Sequence, residues 1–407
     1  MKYACIISIG DELLQGYTID TNSSWLGKSL NNYNVRVQRK ITIADELDII
    51  EYELSKALDK YDLVFVTGGL GPTLDDLTHK AIEKIMGVES KFDAQYYEEL
   101  NKKFIARKMK MPPNNRSQAM MIPGTKLIPN RLGTARGIHI ESNGNHLFSM
   151  PGVPTEMKGM FSDYITVNYL PNVKKESISL IRTVGIIESK LAEKMQPHID
   201  DYSDKYSFSY LPKFTGVDFK IRQDHPCELG LSKVSNSFFE WLSPYAYGWG
   251  DQTLESVIAS ELIKKGLSLS VAESCTGGLI SKRLTDVAGS SAFFRGSIVA
   301  YSNKIKVNQL SISKELLKEN GAVSEPVARK MAQSIQNITN SDIGIATTGI
   351  SGPSGGTNEK PVGLVYIAIS YDNKVWVKEF NFFPKRSIHR EATSQAALNM
   401  VRKVINE

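Results

Sequence analysis

Residues 272–278 read Ala272-Glu273-Ser274-Cys275-Thr276-Gly277-Gly278, and the fold of the C-terminal half turns on how they are taken. Leu267 to Val271 alternates apolar and small polar residues like a half-buried strand, whereas Leu279, Ile280 and Leu284 fall at helical spacing. The turn between them is short, so a hydroxyl stands where a strand gives way to a helix. Gly277 and Gly278 let backbone amides come close to a ligand. The first amides of a helix have no internal partner and can donate to an anion or oxyanion. Ser274 would stand beside those donors as a nucleophile. The same residues also suit a plain Gly-rich helix start capped by Ser274 or Thr276, and the stretch alone does not choose.

Three stretches further on favour chemistry. Tyr301-Ser302-Asn303-Lys304-Ile305-Lys306 follows the apolar strand Ser297 to Ala300 and brings a phenol and two amines to a strand exit. Thr347-Thr348-Gly349-Ile350-Ser351-Gly352-Pro353-Ser354-Gly355-Gly356 follows the strand Ile343 to Ala346 as a second Gly-rich loop of phosphate size. Arg386 and Arg390 lie one turn apart on a helix that runs to about Ile405.

A serine hydroxyl is a weak nucleophile until a base takes its proton, and a neutral lysine can be that base. Moving a lysine from a pKa of about 10.4 to near 7 asks for more than about 4 kcal/mol, from burial or from neighbouring cations. Cations are at hand. Residues 250–407 hold 19 Lys+Arg against 14 Asp+Glu while residues 1–249 hold 30 of each, so the whole net charge of +5 lies here, where it would also attract a nucleotide phosphate. Cys275 is the rival nucleophile, since thiolates are intrinsically stronger and a helix start lowers a thiol pKa. Adjacent residues on a regular strand point opposite ways, so only one of Ser274 and Cys275 can face the pocket.

Glu-Ser-Cys-Thr-Gly-Gly, Tyr-Ser-Asn-x-x-Lys, Thr-Gly-Ile-x-Gly-Pro-x-Gly-Gly and Lys360-Pro361-Val362-Gly363-Leu364-Val365, in that order, resemble the nicotinamide mononucleotide deamidase family, PncC, over roughly residues 250–405. The resemblance implies hydrolysis of nicotinamide mononucleotide to nicotinate mononucleotide and ammonia, without a cofactor. It makes Ser274 the nucleophile, Lys306 its base, and Tyr301 and Arg390 supporting residues. Thr276, Gly277, Gly278, Thr348, Gly349 and Gly352 become the substrate contacts, and Cys275 is packed behind Ser274.

Length and composition set bounds. At 407 residues, 41% hydrophobic and 23% charged, the chain should form two or three ordinary globular domains. Cys5, Cys227 and Cys275 are far apart and form no C-x-x-C, which argues against a disulfide framework or a zinc knuckle and fits a reducing cytoplasm. Met1 to Cys5 enters a strand directly, with no signal-peptide pattern, and no apolar run nears the ~18 residues of a membrane span. The small net charge and the lack of a basic stripe interleaved with aromatics argue against a nucleic-acid partner.

In the N-terminal part Ala4 to Ile9, Val35 to Thr42 and Asp62 to Thr67 read as strands, with a helix capped by Asp20 running to about Leu30. A second helix carries Leu47, Ile50, Leu54 and Leu58 on one face. The alternation predicts a doubly wound α/β sheet, mainly parallel. Its third strand runs into Gly68-Gly69-Leu70-Gly71-Pro72-Thr73-Leu74-Asp75-Asp76, where glycine amides can meet phosphate and Asp75-Asp76 can hold a divalent cation. A Gly-Pro turn with solvated aspartates is the plain alternative.

Gly10-Asp11-Glu12-Leu13-Leu14, Asp20-Thr21-Asn22, Gly68 to Thr78 and Pro151-Gly152-Val153-Pro154-Thr155-Glu156-Met157 together resemble the MoaB/MogA molybdopterin-binding fold. The two resemblances combine in the CinA competence/damage-inducible family, over the full length. That resemblance implies a metal-dependent ADP-ribose pyrophosphatase giving AMP and ribose 5-phosphate, using Mg2+ or Co2+, with K+ as a further cation. Asp45 and Asp76 are then the catalytic acids, Asp75 and Asp76 the metal ligands, and Asp11, Gly68, Gly69, Gly71, Thr73 and Gly152 the substrate contacts. It also implies a homodimer. The alternative is a molybdopterin- or nucleotide-binding module with a regulatory, competence-related role and no pyrophosphatase activity. One departure stands out: Gly133-Thr134-Ala135-Arg136-Gly137 has arginine where the family has proline, and Arg136 reads either as an added phosphate contact or as surface.

Phe92 to Met109 reads as a helix, and Ile138–Ile140 with His146–Met150 as a hairpin whose histidines, His139 and His146, are strand residues rather than ligands. Residues 172–249 change character. A strand beginning at Lys174-Lys175-Glu176 and running through Ile181 to Val184, a helix from Glu188 to Met195 and two further strands resemble the KH-like middle domain of the family. No G-x-x-G loop is present, so a structural spacer is expected. The expected domains are 1–171, 172–249 and 250–407, with Tyr245 to Gly250 as the second boundary.

Overall fold

The computed structural model describes residues 2–33, 35–73, 76–170, 178–225 and 230–406. The chain divides into two compact units, Met1–Ser177 and Ile178–Glu407.

The first unit is built on a six-stranded sheet ordered Val35–Ile43, Lys2–Ile9, Leu63–Thr67, Asn145–Met150, Gly137–Ser142, Lys126–Ile128. The first four strands run parallel; Gly137–Ser142 runs against them, and Lys126–Ile128, antiparallel to it, runs with them again. Leu63–Thr67 is buried at every position, as a central strand covered on both faces must be. One face packs on Ile50, Leu54 and Leu58 of helix Leu47–Lys60, the other on Leu26 and Leu30 of helix Thr21–Leu30. Asp20 caps that second helix by accepting the amide of Ser23 at 2.9 Å. The helix expected over 92–109 is shorter, Ala94–Ala106. Asp93 caps it, and Phe92 instead pairs with Met120 in a two-residue ladder.

The second unit holds two sheets. Tyr206–Lys213, Gly216–Gln223, Ile178–Thr183 and Ala246–Trp249 form an antiparallel sheet, with helices Glu188–Ile199 and Gly230–Trp241 over a core centred on Phe219 and Phe238. Residues 174–176, where a strand was expected to start, lie outside the described residues. The stretch expected as a boundary is itself a strand: Ala246–Trp249 pairs with Ile181–Thr183, burying Ala246 and Gly248.

The other sheet is ordered Phe294–Val299, Leu269–Glu273, Ile343–Gly349, Leu364–Tyr371, Lys374–Asn381. Its first three strands are parallel, so their C-terminal ends open on one side, where sites form in open α/β sheets. Ile343–Gly349 runs three residues past Ala346, and Thr347 and Thr348 are therefore ladder residues rather than loop. Helix Glu325–Thr339 covers one face and helices Leu254–Lys265 and Arg386–Val404 the other.

Candidate active site

At the exit of Leu269–Glu273, Ser274 is fixed by its amide, which donates to the Thr347 carbonyl at 3.0 Å. The next strand ends at Val299, and Ser302 caps a short helix, Asn303–Leu310, that turns Lys306 back toward the first strand. Lys306 Nζ lies 3.0 Å from Ser274 Oγ and donates to the Ala300 carbonyl at 2.7 Å. Lys306 is 1% exposed, and this burial lowers its pKa below the ordinary lysine value. A neutral amine there spends one N–H on Ala300 and keeps its lone pair for the serine proton.

Ser274 and Lys306 share a pocket of about 190 Å³ with Cys275, Tyr301, Asn303, Ala322, Val323, Thr348, Gly349, Ser351 and Arg386. Arg386 joins two of its walls, donating to the Tyr301 hydroxyl at 2.8 Å and to the Gly352 carbonyl at 3.2 Å. Cys275 packs into the hydrophobic core, and burial pushes its thiol up to about 12, so it carries no thiolate at neutral pH. Both Ser274 and Cys275 line the pocket, where only one of them was expected to face it, and Cys275 alone of the two also belongs to the core.

Other expected residues have different jobs. The amides of Gly278, Ile280 and Ser281, expected to be free for an anion, all donate to the carboxylate of Glu273, at 2.8, 3.2 and 2.9 Å. The helix start is thus capped from inside the protein. Gly277 and Gly278 have φ of +58° and +91°, so the turn itself needs glycine, and neither lines the pocket. Thr276 is fully buried with its hydroxyl 2.8 Å from that of Thr347. Arg390 stands outside the pocket and clamps the Thr276 carbonyl with Nε at 3.0 Å and Nη2 at 2.7 Å. Thr348 and Gly349 do line the pocket, although the Thr348 hydroxyl is committed to the Ala322 carbonyl at 2.7 Å. Gly352 contributes through its carbonyl, held by Arg386.

Sequence reasoning placed Arg386 on the helix but gave the role to Arg390, and it missed Asn303, Ala322, Val323 and Ser351. Lys360, quoted only as part of a motif, donates to the carbonyls of Asn320 and Val323 and so holds one wall.

In the first unit two adjoining pockets, of about 420 and 380 Å³, flank the Gly68–Pro72 loop. The smaller is lined by Glu12, Asp45, Gly68, Gly69, Gly71, Asp76, Gly152 and Glu156. Thr73, His79 and Arg136 belong to the larger. Gly68 has φ +113°, and a Cβ there would lie 2.2 Å from the Ile9 carbonyl oxygen, so only glycine lets the loop leave the sheet this way. Asp11 and Asp45 exchange backbone-to-carboxylate hydrogen bonds of 3.0 and 3.4 Å. Asp76 accepts from the amides of Gly71 at 2.6 Å and Thr73 at 2.8 Å, and from the Thr73 hydroxyl. Asp76 thereby staples the loop that was expected to bind phosphate. Asp75 lies outside the described residues, among which no three His, Cys, Asp or Glu side chains gather as a metal group. Arg136 is not surface: it is 11% exposed, pairs with Asp93 at 2.8 Å and stacks over Tyr96 at 3.6 Å. His139 and His146 are indeed strand residues, with Nε2 and Nδ1 3.1 Å apart.

The fold and the site define an α/β protein with a serine–lysine pair at the strand ends of its second unit and a MoaB/MogA-like first unit. Residues 251–405 match the family model of the CinA C-terminal domain, and residues 5–172 that of the probable molybdopterin binding domain. The chain is 38% identical to a CinA-like protein of Chloroherpeton thalassium, over 98% of this chain and 99% of that one. It is 36% identical to a CinA-like protein of Thermosipho melanesiensis over the whole of both. Among solved structures it is similar to the competence/damage inducible protein CihA from Agrobacterium tumefaciens, 40% identical, covering 38% of this chain and 94% of that chain with a TM-score of 0.37. The chain belongs to the CinA family. Among its described residues no helix is long and apolar enough to cross a membrane.

Proposed function

We propose that the second unit hydrolyses the carboxamide of nicotinamide mononucleotide to nicotinate mononucleotide and ammonia. The observation that carries this reading is the buried Lys306, its Nζ 3.0 Å from Ser274 Oγ at the foot of an open pocket of small-headgroup size. Ser274 Oγ attacks the amide carbon while its proton passes to Lys306. The tetrahedral adduct collapses as Lys306 returns that proton to the leaving nitrogen, releasing ammonia. Water then attacks the acyl-serine with Lys306 again as base, freeing the acid and Ser274. Ammonia release from nicotinamide mononucleotide by the purified chain tests the reading, and binding without release sinks it.

For the first unit we propose cleavage of ADP-ribose to AMP and ribose 5-phosphate, supported by paired pockets whose combined size suits a nucleotide and by the Asp45 and Glu12 carboxylates beside the glycine loop. The reading calls for a divalent cation, and the described residues do not fit one by themselves: Asp76 is spent on the loop, and no three of the described carboxylates, histidines or cysteines gather closely enough to hold a metal. The same observation favours the alternative, a molybdopterin- or nucleotide-binding unit without cleavage. Product analysis with ADP-ribose and Mg2+ or Co2+, with and without K+, separates the two. A cytoplasmic homodimer acting on small nucleotides in pyridine-nucleotide salvage completes the proposal.

A further inference from the structure

Ser351 and His389 form a pair that the serine–lysine chemistry does not use. Ser351 lines the pocket of Ser274 and Lys306, and its Oγ lies 2.9 Å from His389 Nδ1. His389, fully buried on helix Arg386–Val404, has Nε2 3.1 Å from the Gly363 carbonyl oxygen. A carbonyl only accepts, so the proton of the neutral ring is on Nε2 and Nδ1 carries the lone pair. Burial lowers the pKa of His389 and keeps it neutral at pH 7. The Ser351 hydroxyl therefore gives its one hydrogen to Nδ1, and toward anything in the pocket its oxygen can only accept.

We propose that Ser351 is a specificity-determining residue that accepts a hydrogen bond from the –NH2 of a primary carboxamide and disfavours the corresponding carboxylate. The inference rests on the amidase reading and adds how the site distinguishes substrate from product. An amide nitrogen offers two donors, whereas a carboxylate brings only lone pairs against an oxygen that has no hydrogen left to give. Arg386, on the same pocket, would by itself favour the anionic product, so an oriented acceptor is what tips the balance toward the amide. Sites built to pair with a particular donor reject the analogue that lacks it.

The test is calorimetric binding of nicotinamide mononucleotide and nicotinate mononucleotide to the full chain carrying Ser274→Ala, with and without Ser351→Ala. The expected result is roughly tenfold weaker amide binding with acid binding unchanged or tighter. In the chain with Ser274 intact, Ser351→Ala should also lower the inhibition constant of the acid relative to the KM of the amide. Equal weakening of both ligands, or an unchanged ratio, overturns the inference. Ammonia release by the unsubstituted chain keeps the two levels apart. If it occurs and the ratio does not move, only the role of Ser351 falls; if the unsubstituted chain neither binds nor hydrolyses the amide, both fall.

Discussion

Lys306 reaches Ser274 across 32 positions of chain, Nζ to Oγ at 3.0 Å, because two parallel strands end side by side and a capped helix turns back between them. On the proposed amidase reading nucleophile and base then act as a unit. Ser274→Ala is expected to lower amide hydrolysis by at least roughly 10³-fold and Lys306→Met by about 10²- to 10⁴-fold. Cys275→Ala should retain activity within a few-fold. Steady-state ammonia release checks all three, and loss confined to the cysteine variant would move the nucleophile to Cys275.

The same burial fixes a pH dependence. Lys306 must be neutral to accept the serine proton, and its pKa is lowered by desolvation. The value of kcat/KM should therefore rise with pH along a limb that levels off below the ordinary lysine pKa of about 10.4. A limb that levels off only at or above that value would contradict a buried base.

Two arginines one turn apart should part company kinetically. Arg390 clamps the Thr276 carbonyl and is not a lining residue of the pocket, so Arg390→Lys, which loses the fork, is expected to lower kcat by roughly tenfold through a loosened Ser274 turn with little change in KM. Arg386 joins Tyr301 to Gly352 at the pocket, and Arg386→Lys should act mainly on KM. The reverse pattern in a kcat and KM comparison would exchange their roles.

Glu273 is fully buried and its carboxylate accepts three helix-start amides as well as the Ser281 hydroxyl. Removing it leaves those donors without their partner, the buried Ile280 amide most of all. Glu273→Ala is expected to cost about 3 kcal/mol in denaturant unfolding of the second unit, and Glu273→Gln about half as much, since one oxygen remains to accept.

These cases show where the sequence was legible. The strand–helix alternation could be read because it has a local cause. Ser274 and Lys306 were singled out by the ordered motifs of the family resemblance, the local stretch alone leaving a plain helix cap and a surface lysine open. Glu273 could not be read: it looks like one more strand residue, and its partners come five to eight positions later on a turn whose course is set by φ at Gly277 and Gly278. Arg386 and Arg390 share one helix, and only the packing of its first turn against the Gly352 loop separates them. The Ala246–Trp249 strand hid in an aromatic, Gly-rich stretch because its ladder partners lie more than sixty residues upstream. Asp76 resembled a free ligand until the tight turn brought two amides onto it.

His139 and His146 give the first unit an acid sensitivity whose sign follows from burial. His139 is 1% exposed, its Nε2 is 3.1 Å from His146 Nδ1, and it stacks on Phe148 with centroids 4.6 Å apart. Burial, then the neighbouring His146 and Lys126, hold its pKa down to about 4, with Glu141 opposing; His146 is lowered as well, burial first. The unfolded chain takes up these protons near pH 6.5 and the folded chain only at lower pH, so stability rises with pH across that window. The contribution is fully present above about 6.5 and is lost as pH falls toward 4, by roughly 3 kcal/mol for His139 at 1.36 kcal/mol per unit. His139→Phe should therefore flatten the fall in Tm of the first unit between pH 7 and pH 5, measured by calorimetry on the full chain. An equally steep fall in that variant would place the acid sensitivity elsewhere.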